Sequence, residues 1–196
     1  MLFFRKGNSK NQTMMKKLIL FIAATAALIS CSNYPKGSCV INGTIDDPDN
    51  RDGAWIFLVP QGPHEPAEVD SVLIENGKFT FVTDRERMGI IRVTMYRRLG
   101  LQDLLVVTEP GEINVTISAS SRCGGTPQND SLQVWKELTM EMNAATSNLY
   151  QMGMKAQADS LRAVYKERSR QLCENVGSET TLGAFLLKMF PPQKQN

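Results

Sequence analysis

The sequence predicts a mainly β protein of the α+β class: an antiparallel β-sandwich-like domain of about seven short strands, followed by a C-terminal helical hairpin. Three observations carry this prediction. Between Ser38 and Ser121, short runs rich in Val, Ile, Phe and Thr recur between turn formers, at the spacing of roughly 8 to 12 residues that marks sandwiches and barrels. Asn76-Gly77 lies between two such runs and supplies the residue pair that tolerates positive φ at a tight turn. After Ser121 the apolar period lengthens from two to three or four, the spacing of one face of a helix.

In chain order, Cys39 to Ile45 (CVINGTI) reads as a first strand and Ala54 to Pro60 (AWIFLVP) as a second, with the turn-rich DDPDNRDG between them. QGPHEP (61 to 66) is a loop, because two prolines and a glycine do not fit a strand interior. Val69 to Ile74 and Lys78 to Val82 form the arms of a hairpin, with Phe79 and Phe81 on one face and Thr80 on the other. Gly89 to Tyr96, Leu104 to Thr108 and Glu112 to Ser118 complete the set. Arg122 to Asp130 (RCGGTPQND) reads as a linker, and Asp130 as the cap of a first helix with Gln133 completing a box-like pattern. Leu132, Trp135, Leu138, Met142, Ala145 and Leu149 form its apolar stripe. Met154, Ala158, Leu161, Tyr165, Leu172 and Val176 form a second stripe that stops at Gly177, and a short third helix runs from Thr180 to Met189 before Pro191-Pro192. The domain boundaries expected are 38 to 121 for the β domain and 130 to 190 for the helical segment.

With 196 residues, 42% of them hydrophobic, the chain is long enough for one real core. Its formal charge of +2 is unevenly placed. Five of the 22 bases (Arg5, Lys6, Lys10, Lys16 and Lys17) precede residue 31 with no acid among them, which leaves 17 bases against 20 acids, a net of −3. That balance, without an aromatic-basic stripe, argues against nucleic-acid binding. The basic segment is followed by twelve apolar residues, Leu18 to Ile29, too few to span a bilayer, and then by Ser30-Cys31. This is the layout of a secretory signal over residues 1 to 30. Leu28-Ile29-Ser30-Cys31 looks like the lipobox of bacterial lipoproteins, in which Cys31 is lipidated and anchors the mature chain to a membrane; residues 31 to 37 are then a tether. Met14 is a more natural start than Met1, which would make residues 1 to 13 an extension.

Cys39, Cys123 and Cys173 remain. They lack C-x-x-C spacing, so neither a zinc site nor a thioredoxin-type pair is built from sequence neighbours. Two readings stand: a Cys39 to Cys123 bridge, or three small apolar core residues. His64, the single histidine, sits in a Pro-rich loop and reads as solvated against the alternative of a catalytic or metal-binding role. Asp46, Asp47, Asp49 and Asp52 could offer carboxylates to calcium, but Arg51 lies among them and no terminal Glu follows, so a plain acidic turn is expected and no metal or cofactor is assigned. Trp55 and Phe57 share one face of their strand; if that face points outward, they are a candidate ligand surface.

The order VINGTI, AWIFLVP, VDSVLIENGKFTF, LLVVTEPGEINVTI, GTPQNDSL resembles the DUF4369 domain of Bacteroidetes envelope proteins over roughly Ser38 to Leu138. The hairpin and the Glu-Pro-Gly segment are the specific parts. CENVGSETTLGAFLL is similar to the connector that joins this domain to a thioredoxin-like domain in many members. That domain and its C-x-x-C are expected to be missing here, so disulfide reductase activity is not implied. The resemblance implies a cell-envelope location and a non-catalytic accessory role, and Ser32 to Ser38 lack the acidic run expected of surface-export signals in that phylum, which favours an outer-membrane location facing the periplasm. The resemblance also implies an O-glycosylation sequon of that phylum, matched by Asp70-Ser71-Val72, Asp130-Ser131-Leu132 and Asp159-Ser160-Leu161, with at least Ser71 as an attachment point and Asp130 open to a structural reading as a helix cap. The expected function is a lipid-anchored envelope protein with a binding or assembly role; the alternative is an accessory partner of a thioredoxin-like protein, docked at the Trp135 or Phe185 surface.

Overall fold

The computed structural model describes residues 34–49, 51–93 and 100–191. The expected signal segment, the expected lipidation site Cys31, the start of the expected tether and the Thr94 to Tyr96 end of the fifth expected strand lie outside the described residues.

Among the described residues eight strands form two four-stranded sheets: β1 (Cys39–Ile45), β2 (Trp55–Pro60), β3 (Asp70–Leu73), β4 (Lys78–Thr83), β5 (Met88–Arg92), β6 (Leu104–Val107), β7 (Gly111–Ile117) and β8 (Arg122–Gly124). One sheet has the order β4-β1-β7-β8 and the other β3-β2-β5-β6. Every pairing is antiparallel except β1 with β7, which run parallel from Cys39 opposite Gly111 to Ile45 opposite Ile117. The expected sandwich is therefore present with one parallel seam, created because the chain leaves the second sheet after β6 and enters the first beside β1. Alternation sends Ile41, Phe79, Phe81, Ile113, Val115 and Ile117 inward from one sheet to meet Ile56, Leu58, Ile91, Leu104 and Val106 from the other, all in one buried cluster. Full burial of each such side chain contributes about 1.5–3 kcal/mol.

The Asn76-Gly77 turn forms as expected. Asn76 has φ 53° and Gly77 φ 67°, and Glu75 and Lys78 exchange backbone hydrogen bonds of 2.9 and 3.0 Å. The expected hairpin does not. Its arms part after the single Glu75–Lys78 bridge: β3 pairs with β2 in one sheet and β4 with β1 in the other. The turn is a corner of the sandwich. Ile74 on one arm and Phe79 and Phe81 on the other must reach the core from opposite sides, which two strands of one ladder cannot do. Gly43 answers the aromatic pair, since a Cβ there would land on the Phe79 ring.

Among the described residues three helices follow: α1 (Pro127–Gln151), α2 (Lys155–Val176) and α3 (Thr181–Met189). The segment expected as a linker instead supplies β8 and the first turn of α1, so α1 starts three residues before Asp130. The helices form a third layer on the outer face of β5 and β6, where Met88 and Val107 pack with Leu132, Cys173, Leu182 and Leu186. β6 is consequently buried on both faces, Leu104 and Val106 inward and Val107 outward. Trp135 packs edge-on against Phe185 and Phe190, with ring centroids 6.1 and 6.4 Å away, and Tyr165 against Phe190 at 5.6 Å. No described helix is long and apolar enough to cross a membrane.

Candidate functional site

Among the described residues, buried polar side chains gather at the junction between sandwich and helices. Glu109 lies in the link between β6 and β7 and is 7% exposed. Its Oε1 accepts the backbone N–H groups of Gln128 (2.7 Å) and Asn129 (3.1 Å), two of the donors that the start of an α-helix leaves without intrahelical partners. The α1 N-terminus is thus capped from another element, by a carboxylate placed where the helix dipole favours negative charge. Asn129, fully buried, treats β6 as a strand would: Val107 N–H donates to its Oδ1 at 2.9 Å and its Nδ2 donates to the Val107 carbonyl at 2.8 Å and to Thr126 Oγ1 at 2.8 Å. Gln128 carries the network onward, accepting from Leu182 N–H at 2.9 Å and donating to Glu86 Oε1 at 2.9 Å, which in turn accepts from Thr181 Oγ1 at 2.8 Å. One set of side chains therefore joins β6, α1 and the start of α3.

Asp130, expected to cap the helix, lies within its first turns and accepts from Gly125 N–H at 2.8 Å. Gln133 accepts from Cys123 N–H at 3.2 Å and donates to Glu137, so it braces β8 instead of closing a capping box. Reading Asp130 as the cap missed Glu109, Gln128 and Asn129. Their signal was available, since polar residues in E-P-G and G-T-P-Q-N flank a continuous apolar strand.

Of the two readings of the cysteines, the structure has the second and not the Cys39–Cys123 bridge: Cys39, Cys123 and Cys173 are buried free thiols. In register, Cys39 is level with Gly111, whereas Cys123 is level with Val115 one strand further over. Four residues along and two strands across separate them by roughly 13 Å and 10 Å, well beyond the span of a disulfide. Burial pushes the Cys39 thiol up to about 12, with Glu109 adding to it, and the Cys123 thiol up to about 11. Cys173 is raised by burial as well, and its Sγ donates to the Gly183 carbonyl at 3.2 Å. High thiol pKa values make these cysteines poor nucleophiles.

Trp55 does point outward, 52% exposed, and Phe57 beside it is partly buried. Opposite them on β3 stand Leu73, 42% exposed, and Ser71, also exposed, so the two candidate features form one patch on the outer face of β2 and β3. Trp135 and Phe185 are partly buried in their own aromatic cluster. His64 is exposed with Nδ1 2.8 Å from the Gly62 carbonyl oxygen. The acidic loop is closed on itself: Asp47 accepts from Asp49 N–H (3.0 Å) and pairs with Arg51 (2.9 Å), contacts that hold its carboxyl below the usual range, while Asp52 accepts from Gly77 N–H at 2.7 Å. Among the described residues no group of three or more His, Cys, Asp and Glu side chains could hold a metal ion.

Beyond the junction, α1 and α2 continue as a two-helix arm whose two sides differ. One side is polar: Tyr150 Oη donates to Asp159 (2.8 Å) and accepts from Arg162 (2.9 Å), whose guanidinium lies 4.9 Å from the ring centroid. On the other side a groove of about 500 Å³ is lined by Leu149, Ala156, Gln157, Ser160, Leu161 and Val164. Val164 is 48% exposed, and Val134 on the same side of α1 is 58% exposed.

No curated protein and no solved structure matches this chain. Residues 39–132 match a family described as a domain of unknown function, DUF4369. The match begins at the first residue of β1 and ends at Leu132, just past Glu109, Gln128 and Asn129, so it takes in the sandwich and the capped start of α1. The segment that matches DUF4369 thus ends in the start of the helical arm.

Proposed function

We propose that this protein is a lipid-anchored component of the cell envelope, held to a membrane through Cys31 and acting in assembly without catalysis, with the α1–α2 arm as its docking element. The observation that carries the reading is the two-sided arm: one side satisfied by Tyr150, Asp159 and Arg162, the other an apolar groove with Val164 48% exposed. The junction at Glu109 and Asn129 supports it, because an arm fixed to the sandwich presents its groove without paying for ordering at the moment of docking. The lipobox sequence supports an envelope location, and the lack of an acidic run in Ser32 to Ser38 supports the periplasmic side of an outer membrane. In this reading Ser71, exposed opposite Phe57, carries the glycan, and the intact mass of the native protein reads it directly.

A photoreactive residue placed at Val164 in membranes of the native host tests the docking role, with Lys166 on the polar side as reference. The expected result is a discrete adduct at Val164 and none at Lys166. Equal labelling at both positions, or none at either, contradicts it. Replacing Cys31 with Ser is expected to release the protein from the membrane fraction. The second reading, an accessory of a thioredoxin-like protein, rests on the resemblance of CENVGSETTLGAFLL to a domain connector and is distinguished by the identity of the adduct.

A further inference from the structure

Of the surfaces the fold leaves open, the apolar side of the arm is the one whose charges also specify an occupant. Val134, Leu138, Ala145 and Leu149 recur at intervals of four, seven and four residues on α1, and Leu161 and Val164 face the same side from α2. Two charged residues share that side at the same helical spacing: Glu141 on α1 and Arg168 on α2. Both are exposed, and neither belongs to an ion pair among the described residues. The helices as wholes are opposite in sign. α1 carries Asp130, Glu137 and Glu141 against Lys136, a net of −2, and α2 carries Lys155, Arg162, Lys166, Arg168 and Arg170 against Asp159, Glu167 and Glu174, a net of +2.

We propose that the occupant of this groove is the same groove of a second copy of the chain, the two arms closing into a four-helix bundle about a two-fold axis parallel to the helices. This rests on the assembly reading above and names its partner. Antiparallel neighbours are the usual solution for four helices joined in pairs, and two two-fold arrangements lay one apolar side on the other. With the axis parallel to the helices, α1 of one copy faces α2 of its partner; every neighbour is then antiparallel and opposite in net charge, and Glu141 and Arg168 of each copy approach the complementary residue of the other. With the axis in the interface but perpendicular to the helices, α1 faces α1 and α2 faces α2, and like charges are set together. The charge pattern selects the first. It also leaves both sandwiches at the same end of the bundle, so two tethers from Cys31 can reach one membrane.

Sedimentation equilibrium of the full chain in density-matched detergent tests the proposal. The wild type is expected at the mass of two chains, and Val164→Glu at one, with an unchanged circular dichroism spectrum because Val164 is at the surface. Glu141→Arg is expected to weaken the dimer by about a hundredfold, and Glu141→Arg combined with Arg168→Glu to restore it. A monomeric wild type, or a dimer indifferent to both Val164→Glu and Glu141→Arg, overturns the proposal. A monomer that still gives a discrete Val164 adduct with another protein overturns self-association while leaving the docking role intact, whereas a monomer with no adduct overturns both.

Discussion

Asn129→Ala is the perturbation that most sharply separates a welded junction from an incidental contact. The Asn129 side chain is fully buried and satisfies both Val107 backbone groups, at 2.9 and 2.8 Å, besides the Thr126 hydroxyl. Truncation leaves the Val107 N–H and C=O unpaired in a site without solvent. Each orphaned buried group costs about 1–3 kcal/mol, so the pair costs about 2–6 kcal/mol, a large part of the 5–15 kcal/mol that holds a typical domain. The chain provides its own reporters, since of its two tryptophans Trp55 lies in the sandwich and Trp135 in the helical layer. Urea unfolding of single-tryptophan forms, Trp135→Phe and Trp55→Phe, follows the two parts separately. In the wild-type junction the two midpoints are expected to coincide. In Asn129→Ala both are expected to fall, the Trp135 midpoint further, so that the helices melt ahead of the sandwich. Ser131→Ala, which removes a hydroxyl bonded to the Pro127 carbonyl at the surface, is the control and is expected to change stability by no more than about 0.5 kcal/mol. Unchanged midpoints in Asn129→Ala would refute the reasoning.

Further predictions concern the sandwich. Gly43→Ala drives a methyl into the Phe79 ring and is expected to destabilise by about 1–3 kcal/mol in thermal unfolding, with Phe79→Leu in the same chain recovering part of the loss. The buried thiols are expected to resist a thiol reagent in the native protein and to react once urea exposes them. Their alkaline effect has a definite sign. Cys39 and Cys123 are raised from 9.0 to about 12 and about 11, so the folded state keeps protons that the unfolded chain releases. Their contribution is complete below the unfolded value near 9 and is lost as pH rises toward the folded values; denaturation midpoints are expected to fall from pH 9 upward, and less steeply in Cys39→Ala.

The strands were legible where local chemistry and burial agree. β1 runs from Cys39 to Ile45 as the alternation of CVINGTI indicates, and the Asn76-Gly77 turn adopts the backbone its residues favour. What sequence could not give was the destination of each arm, because a two-residue turn fixes only the first bridge. Whether β3 and β4 then stay together depends on where Ile74 and Phe79 find a core, a long-range matter. The start of α1 was misplaced for a related reason: Asp130 is a good local cap, but the cap in use, Glu109, comes from 19 residues upstream. One cue could have been weighed more heavily. LLVV in β6 breaks the alternation expected of a strand with one wet face, and the structure covers its outer side with the helical layer. Of the candidate site residues, Trp55, Phe57 and Ser71 were placed together by strand register, whereas the cysteine pair was separated by it.

The central claim, that sandwich and arm are one cooperative body joined at Glu109, Gln128 and Asn129, is tested most directly by native-state hydrogen exchange of the full chain. The backbone amides of Gln128 and Asn129, held by the Glu109 carboxylate, and of Val107, held by Asn129, are expected to exchange only through global unfolding, with the same opening free energy as the Ile41 and Ile113 amides of the core strands. Exchange of the Gln128 and Asn129 amides at the fast rate of a frayed helix end, while Ile41 and Ile113 stay protected, would contradict it.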